Sequence, residues 1–532
     1  MGAGRVSSYG ERGRKEPSIS ELSSKRVWPV WAAWFLSAFV LYAATASRGA
    51  QWQDSGYFIL RILRGELANP LGLALLHPLH YWLGRLAIRL PGLEPAYAIT
   101  LVSSLAGAVA IANLYACAKA LTGRWKAAAL AAGSLLVANT FWQLATLVET
   151  YTLAAAFLTT ECWCVIRLVQ IASGAPPKDS SASFRPKFGR QQRLILLLWL
   201  VQGLGFANHN LSLLTMPMAG AVTVWAWQKG RHSYWLIPGA AVFWLIGASP
   251  QLVFIAREAM ASGDVSATIQ SALFGTVFED RVLNASLSSQ LLLISAGFVL
   301  LNFPNLLLPA AVSGIAGSLG RSAISPLPQF LLIGLAVHLI FAFRYPVPDQ
   351  HYFFLSTYVF LCLFGSMGFA SWMYRPAGRT TKRIVTAALF LLLLTPVVYA
   401  FVPSIGRRIN ALGYVERDKP YRDDFVYIFI PWTFAERSAE TMSRQAVDMA
   451  GEDGAIVVED GMAEFAVRYE LHRRERRGVE VFSPEMPPRE MEAAIEARRR
   501  IVLVPRRTDQ PTTLPLRGRW NRQGDLYELI PD

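Results

Sequence analysis

The chain has 532 residues, 53% of them hydrophobic and only 17% charged. It is longer than one ordinary domain and too apolar to face water over most of its length. The formal net charge of +14 does not point to nucleic acid, because Lys and Arg sit in short clusters between apolar runs, as in the loops of a membrane protein.

Residues 1–26 are polar, with Arg12, Arg14, Lys15, Lys25 and Arg26, and read as a disordered cytoplasmic tail. The apolar run 27–47 is too long for the core of a cleaved signal and reads as a retained anchor. Further runs near 96–121, 127–146, 149–171, 194–207, 209–228, 234–256, 289–311, 327–344, 352–373 and 384–403 bring the expected total to about eleven spans. The run 194–207 is short, and Asn208 marks a kink or a break. With the tail inside, "TGRWK" (122–126), the loop Lys178 to Arg193, "QKGRH" (228–232), Arg321 and "YRPAGRTTKR" (374–383) also fall inside, so every short loop meets the positive-inside rule. The expectation is an α-helical polytopic membrane protein with a transmembrane domain over 27–403. All four cysteines, Cys117, Cys162, Cys164 and Cys362, lie in apolar runs, so neither a disulfide framework nor a zinc site is implied.

This orientation gathers several polar groups on the outer face. "QWQDSGYFIL" (51–60) places Asp54 just past the first span. "HPLHYWLGRLAIRLPG" (77–92) reads as a helix lying in the interface, with His77, His80, Arg85 and Arg89 reaching toward head groups. Glu149 and Tyr151 follow in "FWQLATLVETYTLAAAF" (141–157), Asn208 and His209 in "GFANHNLSLL" (205–214), and Arg344, Asp349, Gln350 and His351 in "RYPVPDQHYFF" (344–354). Ionisable groups at membrane spans cost free energy and therefore suggest function. Each also has a plain structural reading: Asp-Ser-Gly is turn chemistry, Glu149 suits a helix start, and two prolines make the last segment a rigid connection. Four of the histidines together with a carboxylate leave a divalent cation open, although no metal-ligand spacing is present.

From 404 onward the chain turns polar. "AIVVED" (455–460), a helix over 463–474, "VEVFS" (479–483), a helix over 490–500 and "IVLVP" (501–505) predict a small α/β domain over 404–532 on the extracytoplasmic face.

The order of Asp-Ser-Gly after the first span, a His-Pro segment, "FWQLATLVETYTL", "GLGFANHNLSLLTMP" and "YPVPDQHYFFLSTY" resembles the GT-C superfamily of polytopic glycosyltransferases. It is most similar to the transmembrane O-mannosyltransferases acting on plexin-type IPT/TIG domains and to their bacterial relatives. Relatives carry Glu where this chain has Tyr57. The resemblance implies a polyprenyl-phosphate-linked sugar as donor, a protein or glycan acceptor, and inverting transfer on the extracytoplasmic side, which is the periplasmic side of the inner membrane in a bacterium. Asp54 matches the catalytic acid by position and is expected as the general base. His77, His80 and Arg85, with Arg344 or His351, are the expected groups for the leaving phosphate. Glu149, Tyr151, Asn208, His209 and Asp349 are expected to position sugar or acceptor. A lipid or lipid-linked-sugar flippase and an inactive relative are the alternatives. Against a flippase, the polar groups cluster at one face and the sequence shows no repeated halves.

Overall fold

The computed structural model describes residues 24–173, 189–230, 234–320, 325–373, 379–413, 419–483, 500–507 and 518–530. The expected N-terminal tail lies outside the described residues except for 24–26, which open the first helix. The expected helix over 490–500 lies outside them except for its last residue.

The chain begins with α1 (Ser24–Thr45), a short α2 (Gln53–Arg64) and α3 (Pro78–Ala87), then α4 (Pro95–Thr122), α5 (Trp125–Leu136), α6 (Asn139–Ala145) and α7 (Tyr151–Ser173). After these come α8 (Arg190–Asn208), α9 (Met216–Gly230), α10 (Leu236–Ser262), α11 (Val265–Phe274), α12 (Glu279–Val282), α13 (Ser289–Asn302) and α14 (Leu307–Leu319). The bundle closes with α15 (Leu327–Arg344), α16 (Gln350–Phe353), α17 (Leu355–Trp372) and α18 (Arg379–Arg408). Among the described residues, seven helices are long and apolar enough to cross a membrane: α1, α4, α7, α10, α15, α17 and α18. The total reaches nine if α5–α6, bent by 64°, and α13–α14, bent by 108°, each make one span. The other two expected spans correspond to α8, whose first turn is Arg and Gln, and to α9, which has only 15 residues.

Apolar side chains give no net drive between helices in lipid, so close backbone approach has to supply the contact. α14 and α17 show how. A Cβ built on Gly314 would overlap Phe364 O, and one on Gly368 would overlap Ala310 O, so glycine on both helices lets the backbones touch.

The C-terminal part contains α19 (Asp424–Phe429), α20 (Ser438–Ala450), β1 (Ala455–Val458), α21 (Gly461–Arg473), β2 (Glu480–Phe482), β3 (Ile501–Val504), β4 (Arg519–Gln523) and β5 (Leu526–Ile530). The sheet order is β2-β1-β3-β5-β4. β1 runs parallel to β2 and β3, pairing Ile456 with Val481 and Val458 with Val504, while β5 is antiparallel to β3 and β4. The core of this unit also takes in residues from far upstream. Trp52, Phe58, Ile59 and Ile62, with Ile99 and Val148, pack in one cluster with Ala446, Val458, Val467 and Val504. The apolar face of α2 is therefore a layer of the C-terminal core.

Candidate active site

α2 sets the first acid in place. Trp52 caps it in extended backbone, Asp54 sits in the first turn where the helix dipole favours a carboxylate, and Gly65 at φ 78° ends it by donating to Arg61 O and Ile62 O. Gln53, between cap and acid, is left-handed at φ 57°, and His77, the residue before α3, at φ 48°. A left-handed backbone costs a residue other than glycine about 1–2 kcal/mol, so the surroundings hold these positions.

The turn between α6 and α7 supplies a second acid. Ser103 Oγ accepts from Glu149 N at 3.1 Å and donates to Glu149 O at 3.0 Å. Ser55 Oγ donates to Glu149 Oε1 at 3.0 Å, while Gln51 accepts from Val148 N and donates to Thr100 Oγ1, each at 2.9 Å. These bonds tie α2 to the 146–150 turn and put Asp54 and Glu149 on one wall. The third acid, Asp349, stands at the end of the proline-bearing connection between α15 and α16, which Gln350 pins by donating to Ala342 O at 2.8 Å.

All three acids line a cavity of about 480 Å³, together with His77, Tyr151, His209 and Arg281. A second cavity of about 360 Å³ adjoins it. Gln53, the Val347–Asp349 turn and Tyr352 line both, and Gln143, Phe298, His351 and Tyr427 complete the second.

The acids divide by environment. Asp54 is open to the cavity, but surrounding protein crowds out bulk water and the Asp349 carboxylate lies close, so its pKa is pushed up to about 6. Glu149 is 6% exposed, and burial followed by the Asp54 carboxylate holds it well above the usual carboxylate range, against the pull of the Ser55 hydrogen bond. Burial and then His209 keep His77 well below the usual imidazole value. Its Nδ1–H donates to Asn208 O at 2.7 Å, which leaves Nε2 as an acceptor. In His209, Nδ1 accepts from Leu211 N at 3.1 Å, so Nε2–H is the donor. The two rings stack at 4.9 Å, and Tyr151 packs 5.2 Å from His209.

Not every expected residue reaches the cavity. Asn208 is fully buried behind it, donating to Thr150 O at 3.0 Å. His80, 1% exposed, packs against Phe58, and burial followed by the Arg61 cation brings its pKa down to about 4. Arg85 donates to Ile62 O at 2.8 Å at the C-terminal end of α2, and Arg344 donates to Asn284 O at 2.6 Å; neither lines either of these two cavities. His351 stacks on Phe298 at 4.3 Å in the second cavity. Among the described residues, the Lys or Arg that lines the main cavity with the acids is Arg281, in "FEDRV" (278–282), a short charged stretch that carries no motif. α11 and α12 fold back and bring it to the wall. Among the described residues, no group of three or more His, Cys, Asp or Glu is arranged to hold a metal ion.

The fold matches solved membrane enzymes. ArnT from Cupriavidus metallidurans bound to undecaprenyl phosphate superposes with a TM-score of 0.56 at 14% identity, covering 94% of this chain and 97% of that one. The Archaeoglobus fulgidus oligosaccharyltransferase in the apo form gives a TM-score of 0.50 at 12% identity, over 91% of this chain and 70% of that one. At 12–14% identity the likeness is one of fold, and the long apolar helices mark a multi-pass integral membrane protein. Residues 54–232 match the family described as Protein O-mannosyl-transferase TMEM260 N-terminal domain. No curated protein matches the sequence.

Proposed function

We propose that the protein transfers a sugar from a polyprenyl-phosphate-linked donor to an acceptor hydroxyl on the extracytoplasmic face, with inversion and with Asp54 as general base. The observation that carries this reading is the meeting of Asp54, Glu149 and Asp349 on the wall of one cavity that Arg281 also lines. Asp54 takes the proton of the acceptor hydroxyl as its oxygen attacks the anomeric carbon. The bond from that carbon to the phosphate oxygen breaks, and the lipid phosphate leaves with the electron pair. Arg281 stabilises the charge that develops there, and neutral His209 adds an Nε2–H donor. Protonated Glu149 can donate to a sugar hydroxyl or to Asp54 without adding charge, and Asp349 keeps Asp54 basic enough to accept a proton. The aliphatic and aromatic lining of Leu71, Leu214, Phe274 and Phe278 suits the lipid. The second cavity, which shares Gln53 and Asp349 with the first, suits the acceptor. The lipid phosphate in the ArnT structure is of the chemistry assigned here to the leaving group.

The test is label transfer from a panel of polyprenyl-phosphate sugars by wild type and Asp54→Asn in lipid nanodiscs. The expected outcome is donor consumption by wild type, a loss of at least about 100-fold in the variant, and donor binding by both. Equal binding without consumption by either protein would favour a lipid carrier.

A further inference from the structure

α2 turns Asp54 to the cavity and its apolar face to the C-terminal unit. Trp52, the N-cap, is 2% exposed, stacks on Tyr421 at 5.3 Å and donates from Nε1 to Ser438 Oγ at 3.1 Å. The buried guanidinium of Arg422 lies over the Trp52 ring at 5.2 Å and over the Tyr427 ring at 4.1 Å, and its Nε donates to Asp424 Oδ1 at 2.7 Å. Tyr427 in turn walls the second cavity and accepts from Gln143 at 2.6 Å through its carbonyl. One cation therefore touches both the cap of the Asp54 helix and a residue that walls the neighbouring cavity.

One turn along α2, a Cβ on Gly56 would lie 3.2 Å from Phe465 Cβ, and the Tyr57 ring is 4.9 Å from the Phe465 ring. The nearest atom to that Cβ is Gln51 O, so glycine at 56 serves the turn into α2 as well as the approach of α21. Lys419 pairs with Asp460, the N-cap of α21, and Met462 on that helix lines the main cavity. On the opposite side, Gln51 and the Ser55–Glu149 bond hold α2 to the bundle. The helix is thus gripped from both sides, with left-handed Gln53 between Trp52 and Asp54.

We infer that the C-terminal α/β unit is a positioning part of the active site: Arg422 and Phe465 hold α2 so that the Asp54 carboxyl is presented to the cavity. This rests on Asp54 being the base, as proposed above. Because Arg422 and Phe465 touch the helix and line neither of the two cavities, loosening them acts on turnover more than on donor affinity.

The experiment uses the full chain in nanodiscs, with Phe465→Ala, Phe465→Leu, Arg422→Lys and Arg422→Met. The expected result for Phe465→Ala and Arg422→Met is a kcat at least about tenfold lower with donor KM within about twofold. The acid limb of the rate profile should move to lower pH as water reaches Asp54, and amide hydrogen exchange over residues 52–60 should speed up. Phe465→Leu, which keeps most of the volume, should restore turnover. Arg422→Lys, which keeps the charge and loses the stacked plane, should fall between wild type and Arg422→Met. Folded variants with unchanged kcat and unchanged exchange over 52–60 would overturn the inference. So would loss of kcat and KM together with no rescue by Phe465→Leu and an unmoved pH limb, the pattern of a general folding defect. If wild type consumes no donor, the transferase reading fails, while the exchange data still report whether α21 and Arg422 hold α2.

Discussion

Asp54 and Glu149 carry the same functional group, and burial raises the pKa of both, that of Asp54 to about 6. A base works only when ionised, and a pKa raised to about 6 means Asp54 loses that form as pH falls through 6. kcat/KM should therefore drop about tenfold per pH unit below that point and level off above it, as a pH-rate profile would read. Glu149→Gln keeps a neutral hydrogen-bonding group of the same shape, so its turnover should stay within about tenfold of wild type, unlike Asp54→Asn. If Glu149→Gln is as damaging as Asp54→Asn, Glu149 works ionised and the division of roles is wrong. Two arginines offer a parallel contrast. Arg281 lines the cavity and Arg85 is spent on the carbonyls of α2. Arg281→Ala should weaken donor binding about tenfold, as befits the loss of one charged hydrogen bond. Arg85→Ala should leave donor affinity alone and lower the unfolding temperature.

Much of the helical architecture is legible in the sequence, because a bilayer demands long apolar runs and charges betray the breaks between them. The β1–α21–β2 order was equally readable from "AIVVED", the following helix and "VEVFS". α2 was not. Its sequence QDSGYFILRILR mixes apolar and charged residues and reads as a loop after the anchor, because its apolar stripe is covered by residues nearly four hundred positions away. The β4–β5 hairpin also escaped, since strand β4 is mostly exposed polar residues, Arg519 to Gln523, with no apolar alternation to follow. At the site, Asp54, Glu149 and Asp349 were identifiable because a carboxylate beside a membrane span is costly. Arg85 looked like a phosphate ligand because nothing in the sequence says that it caps another helix. Contacts between bundle helices make their own prediction. Gly368→Val would drive a side chain into Ala310 O on α14, costing about 1–3 kcal/mol or more, read as a lower midpoint in thermal unfolding. An unchanged midpoint would mean that α14 and α17 do not pack this tightly in the bilayer.

The proposed site draws on two parts of the molecule, the bundle and the C-terminal unit, and the orientation expected from the basic loops would place it outside. All four native cysteines are buried, so single introduced cysteines report orientation without removing them. Gln523→Cys on exposed β4 should react with a membrane-impermeant maleimide in intact cells, and Lys126→Cys, also exposed, only after permeabilisation. The reverse pattern would turn the whole assignment over. The core shared between α2 and the C-terminal sheet also sets a schedule for the newborn chain. Trp52 and its partner Ser438 are 386 residues apart, so α2 leaves the ribosome long before anything can cover it. At about 5–20 residues per second, roughly 20–80 s of synthesis separate the two. During that interval the helix bearing Asp54 has no docking surface on its apolar side. On the proposed function the catalytic centre is then the last part of the protein to mature, and a chain cut short before its final strands is expected to reach the membrane fully threaded but inert.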